Sequence, residues 1–124
     1  MFSTALPICL AVLLWTGTAQ AQDQQQIKQG QRIWQKRCSE CHALDTDETG
    51  PRHRGVFGRQ AGSIKGYDYS RALRKSGIQW DAHSLNRWLT DPEKFIPGQN
   101  MDYRLRSQAD RNAVIAYLRS LSPP

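Results

Sequence analysis

The chain lacks a long hydrophobic run. Its longest apolar stretch, residues 8–15, is far shorter than the about 20 residues that a membrane-spanning helix requires. Residues 1–21 contain no charged side chain, and Ala19-Gln20-Ala21 matches the small-x-small pattern at which signal peptides are cleaved. We therefore expect a signal peptide over residues 1–21, removed after Ala21, and one exported domain over residues 22–124. An uncleaved membrane anchor is the alternative.

Sulfur-containing residues are scarce. The sequence has 3 Cys and 2 Met, and Cys9 and Met1 both fall within the predicted signal peptide. The mature domain would keep Cys38, Cys41 and Met101. A disulfide between Cys38 and Cys41 is one interpretation of so close a pair in an exported protein.

Acidic residues are few relative to basic ones, so the chain carries a net positive charge. There are 17 Lys and Arg against 11 Asp and Glu, which gives a net charge of +6. A basic protein favours an acidic partner. Because the basic residues are scattered and the domain is expected to be exported, we do not expect nucleic acid to be that partner.

The two mature cysteines stand in the segment Cys38-Ser39-Glu40-Cys41-His42. In an exported chain, C-x-x-C-H is typical of covalent haem attachment, in which the thiols form thioethers with the vinyl groups. The adjacent histidine is then placed to bind the iron as an axial ligand. The sequence thus favours haem over a disulfide and predicts one haem c per chain. A domain this small is short of apolar core, and a buried haem would add to it.

A second axial ligand is expected at Met101. It is the single methionine of the mature domain and follows the Pro- and Gly-containing loop 97–100. His53 and His83 are the rivals: His53 is expected to be solvated or bonded to backbone, and His83 to be exposed near a helix start. A His/Met pair raises the reduction potential and leaves no open coordination position. This favours electron transfer over oxygen chemistry.

The pattern of apolar residues and glycines indicates an all-α fold of about four to five helices, with long loops wrapped around the haem. Gly-rich residues 43–66 indicate loops. Asp81 is a candidate N-cap, Asp91-Pro92 should stop a helix or kink it into one further turn, and Ser107 should begin the last helix. The predicted helices are residues 24–38, 70–75, 82–90 and 107 onward.

Several short motifs follow one another along the chain. They are residues 30–34 before C-x-x-C-H, Gly50-Pro51, 55–59, 66–70, 77–80, Asp91-Pro92, 96–101 and 114–118. With them the chain resembles the small monohaem class I cytochromes c, of the mitochondrial and bacterial c2-like type, from Gly30 to about Leu118. The resemblance implies the cytochrome c fold, with the Pro51 carbonyl accepting the second His42 ring N–H. It also implies that Arg59, Tyr69 and Trp80 surround the inner haem propionate.

Four positions depart from the family pattern, among them Gln99, which replaces the usual Thr before the end of the ligand loop. Trp88 replaces the Tyr that usually bonds near the Met sulfur, and an indole N–H can donate but cannot accept. Leu73 replaces a frequent Asn, and His53 occupies a position that is usually apolar. A docking rim around the haem edge is expected from basic residues, interrupted by acidic and amide side chains. The basic residues are Lys36, Arg37, Lys94, Arg104 and Arg106.

The expected function is one-electron transfer by a monomeric periplasmic carrier, and we do not expect an enzyme. Its donor and acceptor would be redox proteins, such as a membrane complex, an oxidase or a dehydrogenase, with transient contact at a membrane surface allowed. Two alternatives stay open. One is a dedicated electron-accepting subunit of a periplasmic dehydrogenase, and the other is a haem peroxidase or gas-binding cytochrome with a labile Met101.

Overall fold

The computed structural model describes residue 1 and residues 13–124, with side chains from residue 17 onward. The described chain is helical and contains one isolated β-bridge, between Gln60 and Gln79. Among the described helices, none is both long enough and apolar enough to cross a membrane. The helices are α1 (Leu13–Arg37), α2 (Arg71–Lys75), α3 (Ala82–Thr90), α4 (Pro92–Phe95) and α5 (Gln108–Ser120).

The first helix begins earlier than predicted. It runs from Leu13 and continues through the predicted cleavage point at Ala21, whereas the apolar pattern indicated a start near residue 24. Ala, Gln and Leu, which are frequent in this segment, have high helix propensity, so helix formation there needs no buried face. Residues 17–26 are indeed exposed. Residues 2–12, which include most of the apolar run 8–15, lie outside the described residues.

Side-chain N-caps explain where the later helices begin. The Asp81 carboxylate accepts the Ser84 N–H at 2.7 Å, and the Ser84 hydroxyl accepts the Asp81 N–H at 2.9 Å, which forms a reciprocal capping box. Asp91 caps α4, which opens with Pro92 at a position where the missing N–H does no harm. Ser107 caps α5 by accepting the Asp110 N–H at 3.2 Å. These starts are the predicted ones.

The frame of the molecule is the crossing of α1 and α5. At its centre Gly30 lies so close to α5 that an added Cβ would overlap the Ala113 carbonyl and lie 2.9 Å from the Tyr117 Cβ. Trp34, Val114 and Tyr117 are buried around this point. Glycine is therefore required at residue 30 for the two helices to meet.

The segment between α1 and α2 is irregular, as its glycine content predicts, but backbone hydrogen bonds hold it in place. The His53 and Arg54 N–H groups bond to the carbonyls of Ala43 and Leu44, at 3.0 and 2.8 Å. Further along, the Trp80 N–H bonds to the Arg59 carbonyl at 2.8 Å. These bonds satisfy backbone groups that would otherwise oppose burial, and they hold the loop around a central cavity.

Candidate haem site

One cavity collects all the residues that were predicted for the site. It has a volume of about 380 Å³, a size that suits a cofactor or small ligand. Its walls come from the end of α1, the loop before α2, helix α3 and the loop that carries Met101. The predicted residues that line it are Cys38, Cys41, His42, Pro51, Arg59, Tyr69, Trp80 and Met101.

The two thiols lie on the turn that follows α1. The Cys38 N–H bonds to the Trp34 carbonyl at 2.8 Å, and the His42 N–H bonds to the Cys38 carbonyl at 2.9 Å. Both cysteines are free, with Cys38 half-buried and Cys41 exposed. Burial, and secondarily the neighbouring Cys41, raise the pKa of the Cys38 thiol to about 11. Such a thiol is not the low-pKa nucleophile of a redox dithiol site.

The His42 ring is held along one edge. Its Nδ1–H donates to the Pro51 carbonyl at 2.8 Å, which is the contact that the family resemblance implies. An added Cβ at Gly50 would lie 2.6 Å from Nδ1 and 2.7 Å from Nε2, so the backbone passes close beside the ring. Burial lowers the His42 pKa, partly opposed by the Pro51 bond. The neutral ring keeps Nε2 available as a ligand atom, as metal binding requires.

His53 lies against the face of this ring. The two imidazoles are stacked with centroids 3.9 Å apart and an angle of 23°. The Trp34 indole N–H donates to the His53 Nδ1 at 2.8 Å. Burial first, and the neighbouring His42 and Arg59 after it, hold the His53 pKa well below its ordinary value. The expectation that His53 is solvated or bonded to backbone is wrong, whereas His83 is exposed as expected.

Met101 reaches the cavity from a loop that α4 stabilises. The Glu93 carboxylate accepts the Gly98 N–H at 2.9 Å and the Gln99 side-chain amide at 3.2 Å. The Gln99 side chain in turn accepts the Met101 N–H. Through this relay α4 fixes the loop, and Met101 lies half-buried in the cavity wall.

A polar group of side chains lines another part of the cavity. The Arg59 guanidinium donates to the carbonyls of Arg52 and Arg54, at 2.8 and 2.7 Å. Because a guanidinium has five N–H donors, others remain for a bound anion. Tyr69 and Trp80 are both buried, and the Tyr69 hydroxyl accepts the Ile64 N–H at 3.3 Å.

Tyr67 also lines the cavity, although it was not predicted as a site residue. Its hydroxyl donates to the Thr49 carbonyl at 2.6 Å, and its ring packs edge-on against Tyr69 with centroids 4.6 Å apart. Its place in the Gly66-Tyr67-Asp68-Tyr69 motif was the available signal. Three of the departures from the family pattern line the cavity as well: Trp88, Leu73 and His53. The Trp88 and Trp80 ring centroids lie 5.4 Å apart.

These residues fit a covalently attached haem. The cavity offers two free thiols, a neutral imidazole and a thioether, which together match thioether attachment with His/Met axial ligation. Its remaining wall is mainly apolar and aromatic, with the Arg59 cation placed to meet a carboxylate. The structure thus provides each kind of group that the cofactor needs.

Comparison with known proteins identifies the family. The Cytochrome c family model matches residues 27–122. The chain belongs to the cytochrome c family. It is 39% identical over 97 residues to a cytochrome c of Gibberella zeae, covering 75% of this chain and 92% of that protein. It is also 39% identical over 95 residues to a cytochrome c of Arabidopsis thaliana, covering 73% and 85% of the two chains.

A solved structure agrees with this assignment. Cytochrome cH from Methylobacterium extorquens superimposes with a TM-score of 0.72 at 35% identity, covering 76% of this chain and 97% of the other. Membership confirms the predicted all-α cytochrome c fold, one covalently attached haem c, and an electron carrier with redox partners rather than an enzyme.

Proposed function

We propose that this chain is an exported, monomeric one-electron carrier that moves between a donor and an acceptor redox protein in the periplasm. Cys38 and Cys41 would hold the haem by thioether bonds, and His42 and Met101 would bind its iron. The observation that carries this proposal is the single cavity in which two free thiols, the Pro51-bonded imidazole and the Met101 loop come together.

The protein's task is to keep this ligand set unchanged while the charge on the iron changes. When bound, the haem supplies the one-electron redox chemistry. Pro51 fixes the protonation and orientation of His42 and raises its basicity as a ligand. Glu93 and Gln99 hold the Met101 loop. With both ligands held, little reorganisation accompanies electron transfer, and a neutral thioether favours the reduced state.

The polar part of the cavity would hold the inner propionate. Arg59 keeps N–H donors beyond those it gives to Arg52 and Arg54. Tyr69 and Trp80 can donate from the buried walls beside it. All three would donate to an ionised carboxylate, but Arg59 alone also carries the opposite charge and a fork of N–H donors, so it is the principal partner of the three.

Export is supported by the character of the chain before residue 22. Residues 17–21 are exposed, so cleavage after Ala21 would remove no described side chain from the core. The small-x-small sequence at residues 19–21 provides the cleavage signal. The remaining part of α1 keeps Gly30 and Trp34, and with them the contact to α5.

Docking would use the basic side chains near the cavity edge. All five predicted rim residues are exposed, and Arg37 itself lines the cavity. The Arg104 guanidinium lies 3.1 Å from the Asp91 carboxylate, which offsets part of its charge. Arg37 and Lys94 are therefore the better candidates for steering an acidic partner, an effect that acts mainly on the rate of encounter.

The rim can be tested with small redox reagents of opposite charge. We expect the double variant R37E/K94E to react about tenfold more slowly with ferricyanide, an anion, at low ionic strength. Its reaction with the hexaammineruthenium cation should become faster, and the salt dependence of the ferricyanide reaction should weaken. The matched control is R71E/K75E, which makes the same charge change at exposed positions on α2. Equal rate changes in the two double variants would show that only net charge matters.

The ligand set is tested by the optical spectrum of the matured wild-type protein. We expect the ferric form to show the weak far-red sulfur-to-iron band, because the Met101 sulfur would bind the iron. Carbon monoxide added after reduction should leave the spectrum unchanged. A missing band together with ready carbon monoxide binding would reject the closed site and favour the peroxidase or gas-binding alternative.

A further inference from the structure

Trp34 and His53 form a partly buried contact that joins α1 to the candidate ligand His42. Trp34 is 6% exposed, and its indole N–H has His53 Nδ1 as acceptor at 2.8 Å. A buried indole N–H needs such a partner, since an unpaired donor destabilises the fold. The bond also identifies the tautomer of His53: because Nδ1 accepts, the proton of the neutral ring is on Nε2.

The other side of this contact is the stacked pair of imidazoles. The His53 and His42 rings lie 3.9 Å apart at 23°, so the face of His42 is covered by a ring whose own position Trp34 holds. Trp34 and His53 meet edge to face, with centroids 6.1 Å apart. The three rings therefore form a continuous packed series from α1 to His42.

This series restrains a motion that the Pro51 bond leaves free. One hydrogen bond at Nδ1 fixes an edge of the His42 ring, but it does not prevent the ring from rocking about that bond. A flat group packed on the ring face opposes this rocking, because interiors as dense as a protein core leave no room for it. His53 is the aromatic residue placed to do so.

We propose that His53 is a positioning residue for His42, and that Trp34 acts through His53 to set the plane of the axial imidazole. This inference depends on the proposed function, since it takes His42 to be the iron ligand. It adds a second support to that ligand, separate from the Pro51 carbonyl. His53 itself does not bind the iron in this arrangement.

The test uses the haem methyl hyperfine shifts of the ferric protein, which depend on the orientation of the axial imidazole plane. We expect H53L to change the order or spread of these shifts, because it removes the stacked ring. W34F should change them in the same direction by a smaller amount, and it leaves no buried N–H without an acceptor. The double variant W34F/H53L should match H53L alone, since Trp34 acts only through His53.

A control separates positioning from general packing. V114A removes buried volume at the α1–α5 crossing, where Val114 is 1% exposed and does not line the cavity. It should lower the melting temperature without altering the methyl shifts. If H53L and W34F also lower only the melting temperature, His53 is structural and the inference is overturned. If H53L does not fold, the methyl shifts of W34F alone test the inference.

Failure of the inference can be distinguished from failure of the proposed function. A wild-type protein without the far-red sulfur band would reject the His42/Met101 ligand set itself. A wild-type protein that shows the band, with methyl shifts that neither H53L nor W34F alters, would reject only the role of His53.

Discussion

Replacement of Met101 by leucine is expected to leave the haem attached but to open one coordination position. The side chains have similar volumes, so the change removes the thioether with little loss of packing. The far-red band should disappear, and the reduced protein should bind carbon monoxide. The reduction potential should fall by a sizeable part of the about 0.8 V range that axial ligands control. Optical spectroscopy and a redox titration measure these effects.

The control for Met101 is Q99A. Gln99 accepts the Met101 N–H and bonds to Glu93, so its loss loosens the loop and keeps the sulfur. We expect Q99A to retain the far-red band and to bind carbon monoxide weakly, if at all. If M101L keeps the band and excludes carbon monoxide, Met101 is not the ligand.

Substitution of Gly30 should give the largest loss of stability. In an exposed helix, Gly to Ala stabilises by about 1 kcal/mol. Here an added Cβ would lie 2.6 Å from the Ala113 carbonyl carbon and 2.9 Å from the Tyr117 Cβ, so α1 and α5 would have to separate. We expect G30A to lower the free energy of unfolding by about 1–3 kcal/mol, and G30V by the upper end of that range or more. Guanidinium titration followed by circular dichroism measures it.

The matched control is Q31A, at the next residue of the same helix. Gln31 is exposed, so its replacement should change the free energy of unfolding by less than about 0.5 kcal/mol. A G30A protein as stable as wild type would mean that the crossing tolerates a Cβ. The optical spectrum of folded G30A should match that of wild type, because Gly30 does not line the cavity.

Much of this site was predictable because its residues lie in short sequence motifs. Cys38, Cys41 and His42 lie within five consecutive residues, and Met101 is the single methionine after Met1. The starts of α3, α4 and α5 were predictable for a similar reason. A cap is a contact between residues three positions apart, so the sequence displays both partners.

Contacts between distant residues were not predictable in this way. Trp34 and His53 are far apart in the chain, and nothing local in the sequence shows that an indole would need this acceptor. Arg111 is a second example. It is 8% exposed and donates to the Asn86 side chain and to the carbonyls of Leu105 and Arg106, although an arginine in an amphipathic helix is usually a surface residue.

The helix crossing at Gly30 also bears on the entropy of chain closure. Gly30 and Ala113 lie near opposite ends of the domain, so their contact closes one long loop. Closure entropy grows with loop length, by about 0.6 kcal/mol for each doubling. Under the proposed ligation, His42 and Met101 meet at one iron and bridge most of this loop. Only residues 30–42 and 101–113 then contribute to the loop that the Gly30–Ala113 contact must close. The cofactor would thus act as a polymer cross-link, which lowers the closure entropy of a helix crossing that it does not touch.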